Sequence, residues 1–272
     1  MTTFFLNRLA AEPHALAFAG QSTPWPVALA DQTTDPSLDE ALRGHVAAAG
    51  RLLTPVAADL LATTGRPVDL FGFEPNPARL GAAAAASASV PGIALAQLGA
   101  LLDAASLGYN PAVAKPVAVL GHSQGVLAVH MVQSIVEAGS IEAASAQIDE
   151  ILAIATLIGV AGTRQARQLG LAARHGEATP MLSVKDITRA QVDALIERVS
   201  GARGPIAVAV TNSATHYVLS GYPEDLAAFG VEVAKEHKRQ AQLREEKVRG
   251  GRVFDPVLEY LDVTLPFHSP LM

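Results

Sequence analysis

Residues 116–132 read PVAVLGHSQGVLAVHMV, a stretch that changes character twice. Residues 117–120 form a short apolar run, the pattern of a buried parallel strand. Gly121-His122-Ser123-Gln124-Gly125 comes next, and an apolar segment at helical spacing follows it. A strand, a G-x-S-x-G turn and a helix together make a nucleophile elbow. Such a turn is so tight that Gly121 and Gly125 must lack side chains for strand and helix to approach. Ser123 is thereby pushed out at the helix N-terminus, where free N–H groups can face a developing oxyanion. The plain alternative is a glycine-flanked βα turn with a solvated serine.

A serine hydroxyl is a poor nucleophile until a base accepts its proton, and histidine is the usual base. Of the eight histidines, His268 is best placed: it follows residues 262–267, which read as a late strand. His130 is too near Ser123 in sequence to reach back and reads as a packing or surface residue. His45 sits among polar helical positions and reads as solvated. Asp149, Asp186, Asp193, Asp225, Asp255 and Asp262 lie between Ser123 and His268, and none stands at a motif. The group that would orient the imidazole is therefore left open.

A chain of 272 residues can bury roughly three quarters of its unfolded surface, so a full core is feasible. Half the residues are hydrophobic and 17% are charged, as in a globular protein. The net charge of -6 argues against a nucleic-acid partner. With no cysteine, disulfides, thiolate metal sites and a cysteine nucleophile are excluded, and no metal site is expected. Residues 1–9 lack the basic and apolar parts of a signal peptide, and the expected location is the cytoplasm. Residues 81–102 carry no charge, but the run is rich in Ala and Ser and Pro91-Gly92 interrupts it, so two buried helices are expected rather than a membrane span.

Along the chain, residues 3–11 read as a short helix and residues 15–19 as a central strand, with Gly20-Gln21-Ser22 turning at its C-terminal end. In open α/β sheets ligands bind at that edge. Ser37 reads as an N-cap with Glu40 reaching back to it, ahead of helices over 38–49 and 54–63. Residues 72–77 read as loop, 90–105 as a buried helix, 124–138 as the elbow helix ending at Gly139, and 141–169 as a long helical region with a kink at Gly159 and Gly162. Beyond Pro180 the pattern becomes strand 181–184, helix 188–200 capped by Thr188, strand 206–211, a turn at Asn212-Ser213, strand 217–220 and helix 223–236. That is most of a split βαβ, ferredoxin-like unit. Residues 235–252 are dense in charge and read as a solvated helix running into a loop. A second reading has Lys247, Arg249 and Arg252 facing an acidic partner or phosphate. The stop at Met272, with no closing element, suggests a piece of something longer.

Taken jointly, these motifs resemble the acyl-CoA:acyl-carrier-protein transacylase family over essentially the whole chain. Gly20-Gln21-Ser22 is similar to the family's G-Q-G turn, residues 121–125 to its G-H-S-x-G elbow, residues 212–221 to its N-S-x-x-x-x-V-x-S-G segment, and residues 267–272 to its catalytic-histidine motif. More narrowly, residues 121–129, Leu157-Ile158-Gly159 and residues 249–254 resemble the N-terminal acetyl-transferase domain of bacterial type I fatty acid synthase. The resemblance implies an α/β fold: an α/β-hydrolase-like core with a parallel sheet, over residues 1–177 and 245–272, plus an inserted ferredoxin-like subdomain over 178–244. It implies ping-pong transfer of an acetyl group from acetyl-CoA to Ser123, then to the phosphopantetheine thiol of an acyl carrier protein. It further implies His268 as the base, the backbone N–H groups of Gln21 and Gln124 as the oxyanion hole, and Gly20, His122 and Asn212 at the substrate. No bound cofactor is implied. The partners would be the carrier protein, the coenzyme A thioester and the other domains of a larger, oligomeric synthase, with neither nucleic acid nor membrane.

Two departures bear on this. The family's second turn glycine is Ser22 here, which bears on the hole at Gln21. Malonyl-specific members carry an arginine on the helix after the elbow, paired bidentately with the malonyl carboxylate. No arginine occurs between Ser123 and Arg164, and a buried carboxylate without a partner costs several kcal/mol. A neutral acyl group is therefore expected, with acetyl first. The alternatives are a malonyl or palmitoyl transferase of the same fold, Arg164 being the residue that would favour malonyl, and a serine thioesterase or hydrolase.

Overall fold

The computed structural model describes residues 8, 11–21, 23–65, 67–72, 85–171, 178–199, 204–245 and 254–272, with side chains to 243 in the long helix. The expected helix at 3–11 (bar residues 8 and 11), Ser22, the loop at 73–77, and Lys247, Arg249 and Arg252 lie outside the described residues. The chain divides into two compact units, Met1–Arg164 and Gln165–Met272.

In the first unit, strand β1 (Ala15–Phe18) pairs in parallel with β2 (Ala118–Gly121), from Ala15 opposite Ala118 to Phe18 opposite Gly121. Parallel strands need a long crossover, and helices supply it: α1 (Trp25–Gln32), α2 (Pro36–Leu52), α3 (Ala57–Thr64), α4 (Ala86–Ser106) and the short α5 (Pro111–Ala114). After β2 come α6 (Val126–Ala138) and α7 (Ser145–Gln168). α4 and α7 are long and apolar enough to cross a membrane by length and composition. A helix apolar all round belongs either in lipid or in a protein core, and α4 is buried almost without interruption from Ala86 to Leu101.

The expected break at Pro91-Gly92 does not occur: α4 is one helix with Pro91 inside it. Proline six residues into a helix forfeits one intrahelical hydrogen bond, and tight packing on both sides outweighs that loss. Gly92 serves this packing. A Cβ there would lie 2.5 Å from the ring of Trp25, which is 2% exposed. α7 likewise runs on through Gly159 and Gly162.

Two local expectations are corrected. Asp35, not Ser37, caps α2: its carboxylate accepts from Ser37 N at 2.8 Å and Leu38 N at 3.3 Å, with Pro36 in the first helical position. Those bonds, the Ser37 hydroxyl's first, hold the Asp35 carboxyl below its ordinary pKa. His45 is not solvated either. Its Nδ1 donates to Asp149 Oδ1 across 2.6 Å, joining α2 to α7 with 11% and 15% of the two side chains exposed.

The second unit is a four-stranded antiparallel sheet in the order β4-β5-β3-β6: β3 (Met181–Lys185), β4 (Ala207–Ser213), β5 (His216–Ser220) and β6 (Val257–Tyr260). Helix α8 (Arg189–Arg198) joins β3 to β4, and α9 (Pro223–Glu245) joins β5 to β6. The β-α-β-β-α-β succession is ferredoxin-like and complete. Leu182, Val184, Tyr217 and Leu219 face α8 and α9 in one buried cluster. Met181 and Val218 face the other way, with Val263 and Phe267 packed on them. The capping box expected at Thr188 is present, with Gln191 returning the bond.

Three elements differ from expectation. Asn212 and Ser213 belong to β4, and the hairpin turn is Ala214-Thr215. α9 reaches Glu245 instead of stopping at 236. Residues 262–267 are not a strand: Val263 N bonds back to the Leu261 carbonyl at 2.7 Å, a three-residue turn that ends extension. The last strand is β6, drawn from the 245–272 segment expected to lie with the core.

Glu236 on α9 ties the helix layer together. Arg239 contacts it at 2.5 and 3.0 Å, Gln240 at 2.9 Å and, from α8, Arg198 at 3.0 Å. The Arg239 bond above all pulls its pKa from 4.5 to about 2 against the opposing effect of burial. A depressed carboxylate contributes stability that is present above pH 4.5 and lost as pH falls toward 2. Glu236→Gln should remove that pH dependence and cost on the order of a few kcal/mol at neutral pH, read by denaturant unfolding between pH 3 and 7. Gly92→Ala should destabilise by about 1–3 kcal/mol through overpacking against Trp25, despite alanine's better helix propensity, and should shift the tryptophan emission.

Candidate active site

The elbow is built from main-chain crowding. His122 N donates to the Phe18 carbonyl at 2.9 Å, carrying the β1–β2 pairing one residue past the strand, and Gly125 N closes the turn onto the His122 carbonyl at 2.9 Å. A Cβ on Gly121 would sit 2.5 Å from Val126 N, and one on Gly125 would run into the Phe18 carbonyl. Between them Ser123 takes φ 52°, the left-handed region. Such a conformation costs a non-glycine residue on the order of 1–3 kcal/mol and persists only where its surroundings force it. Ser123 opens a single 3₁₀ turn that leads into α6. The expected strand, tight turn and helix are all present, but the strand is not buried: Val117 is 71% and Leu120 59% exposed, β2 pairing with β1 as its one neighbour among the described residues.

The Gly20-Gln21 turn lies against this elbow. Gly20 is buried, and a Cβ on it would meet the His122 carbonyl at 2.6 Å, Ser123 Cβ at 3.1 Å and Gln124 N at 3.3 Å. Glycine is required here for approach to the nucleophile's own backbone. The turn is fastened by Thr23 Oγ1 donating to the Gly20 carbonyl at 2.6 Å and by Gln97 Nε2 donating to the Ala19 carbonyl at 2.6 Å. Gln21 Nε2 donates to Gln124 Oε1, and Gln124 Nε2 to the Val90 carbonyl at 2.5 Å. Gly20, Gln21, His122, Ser123 and Gln124 are thus gathered within one unit, His122 with an exposed side chain and Ser123 half-buried. Sequence reading missed Gln97. Its signal was a lone amide in the apolar run PGIALAQLGALL.

Asn212 and His268 belong to the second unit. Asn212 Nδ2 donates to His216 Nε2 at 3.3 Å, and the buried Ser183 Oγ lies 3.1 Å from the same nitrogen. His268 is exposed and sits in a turn with φ 57°, not at the end of a strand. Phe267 before it packs on the Met181, Val218 and Val263 cluster. Ser269 after it donates to the Pro266 carbonyl at 2.6 Å, and Gln165 Nε2 holds the Leu271 carbonyl at 2.9 Å. The histidine's neighbours are therefore anchored on both sides.

On α7, Arg164 donates to Asp59 Oδ2 at 2.8 Å and to Thr63 Oγ1 at 3.0 Å, both on α3. Ile154, Leu157 and Ile158 on the same helix are each more than two-fifths exposed. Among the described residues no cluster of three His, Asp or Glu side chains could hold a metal ion.

Residues 180–260 match the family model of the fatty acid synthase central AT domain. The fatty acid synthase beta subunit hexB of Dothistroma septosporum is 27% identical over 164 residues, which are 56% of this chain and 8% of that protein. A loading acyltransferase from the avermectin modular polyketide synthase superposes with a TM-score of 0.57 at 19% identity, covering 94% of this chain and 64% of its own. A malonyl-transacylase solved in complex with its type II polyketide synthase acyl-carrier protein gives 0.54 at 16% identity, covering 96% and 66%. The chain therefore spans just under two thirds of these solved relatives and a small part of the curated one. The fold is that of the acyl-carrier-protein transacylases, an α/β-hydrolase-like core with a ferredoxin-like subdomain, and residues 180–260 carry the likeness to the central AT domain of fatty acid synthases.

Proposed function

We propose that this chain is an acyl-CoA:acyl-carrier-protein transacylase of a fatty acid synthase, and that the group it moves is acetyl. The observation that carries the reading is Ser123 at φ 52° with the Gly20-Gln21 turn pressed against it. In the first half-reaction Ser123 Oγ attacks the thioester carbonyl carbon while His268 takes its proton. The carbonyl oxygen, now negative, is held by the Gln21 and Gln124 N–H groups. The C–S bond breaks, and the coenzyme A thiolate leaves with the proton from His268. In the second, the phosphopantetheine thiol of the carrier gives its proton to His268 and attacks the seryl ester carbonyl; the ester C–O bond breaks, and Ser123 Oγ leaves with the proton from His268. Gly20, His122 and Asn212 are assigned to substrate binding. Both the synthase subunit and the carrier complex among the relatives support a carrier protein as partner and a larger synthase as the setting, for which the cytoplasm is the location we propose.

Three features favour acetyl over malonyl. No arginine lies between Ser123 and Arg164, the stretch matching the malonyl-binding arginine is Leu157-Ile158-Gly159, and Arg164 is engaged with Asp59 and Thr63. A carboxylate buried at the acyl site without a cation is disfavoured by several kcal/mol.

Transfer to a holo carrier protein, with acetyl-CoA and malonyl-CoA in competition, tests the reading. Ser123→Ala should reduce transfer to background, and His268→Ala should slow it by about 10²–10⁴-fold. Unchanged rates in either variant would reassign that role. Arg164→Ala should leave the acetyl preference intact and lower stability by less than about 1 kcal/mol, since its ion pair is half exposed. Ile158→Arg should shift selectivity toward malonyl by about tenfold or more, the scale of one charge-assisted bond. A change of selectivity in Arg164→Ala would place that arginine at the acyl group instead.

A further inference from the structure

The two residues whose main-chain N–H groups serve the proposed oxyanion hole are also joined through their side chains. Gln21 Nε2 donates to Gln124 Oε1, and the other end of the same amide, Gln124 Nε2, donates to the Val90 carbonyl at 2.5 Å on α4. The Gln124 amide therefore spends its acceptor on one half of the hole and its donor on the scaffold behind it.

The two halves are 103 residues apart in sequence. What sets the gap between them is non-covalent: Gly20 against Ser123 Cβ and Gln124 N on the main-chain side, and the amide pair on the side-chain side. An oxyanion hole depends on donors fixed at a distance before charge develops, because reorganisation at that moment would cost the stabilisation it provides. Only a side chain with a donor and an acceptor on one rigid plane can serve Gln21 and Val90 together. A carboxylate lacks the donor, and leucine lacks both.

We propose that Gln124 acts through its side chain as a positioning residue, clamping the Gly20-Gln21 turn to the elbow and to α4 so that the two N–H donors are held at the spacing the oxyanion requires. This rests on the functional reading above, which assigns those two N–H groups to the hole. The clamp works on the transition state, so its loss falls on kcat. Because Gln21 and Gln124 form one unit, removing either partner removes the whole effect.

The test is a double-mutant cycle on the full chain with acetyl-CoA, combining Gln21→Leu, Gln124→Leu and the double variant. Each single variant should lower the kcat of acyl transfer about tenfold to a hundredfold, less than deletion of a donor outright, with KM within about twofold. The double variant should be no slower than the slower single. Gln124→Glu, which keeps the acceptor and loses the donor, should not rescue. Additive losses, or losses carried by KM, would overturn the clamp. Side-chain amide exchange of ¹⁵N-labelled glutamine reads it without any activity. The Gln21 amide protons should be protected in the wild-type chain and should exchange freely in Gln124→Leu. Free exchange in both would overturn the proposal whatever the chain catalyses. Protection together with an absence of acyl transfer in the wild type would leave the clamp standing and remove the transacylase reading.

Discussion

The nucleophile's position depends on main-chain atoms packed too closely for side chains. Gly20, Gly121 and Gly125 each occupy a place where a Cβ would collide with backbone of the facing segment, and Ser123 is held in a left-handed conformation between them. The strain is stored locally and sustained by the β1–β2 ladder and the bond from His122 N to Phe18, which together fix where the turn begins. Loosening any of these contacts would let Ser123 relax to an ordinary φ, and its hydroxyl would no longer stand out from the turn.

Behind this arrangement stands α4. It is a largely apolar, buried helix, and two of its polar groups reach the site: Gln97 holds the Ala19 carbonyl, and the Val90 carbonyl receives Gln124. Apolar burial fixes the helix, and the helix fixes the amides. In the second unit the division of labour follows the two sheet faces. One side of β3 and β5 packs on α8 and α9, locked by Glu236 and its two arginines. The other side carries the apolar cluster on which Phe267 rests, along with the Ser183–His216–Asn212 contacts.

What could be read from sequence was what local chemistry dictates. A glycine pair around a serine, between an apolar run and a helical pattern, leaves few other conformations, and the Thr188 cap with Gln191 three residues on is an equally local signal. What could not be read depended on partners far along the chain. Asn212 and Ser213 favour turns by themselves, yet the ladder with β5 keeps them extended. Residues 262–267 alternate like a strand, but the Leu261–Val263 turn ends the extension, and the four-residue β6 was hidden beside a charged stretch. His45 meets Asp149 across 104 residues, and no pattern at either position announces it. Pro91-Gly92 reads locally as a break and is overruled by Trp25. Asp35 was missed for a nearer reason, since Pro36 moves the start of the helix back by two residues.

The central claim is that Ser123 forms the acyl-enzyme. Intact-protein mass followed by peptide mapping, after brief exposure to acetyl-CoA with no carrier protein present, addresses it directly. The account predicts a single acetyl adduct on the peptide carrying Ser123. An adduct confined to another residue, or none while the chain still transfers acetyl groups once carrier is added, would contradict it.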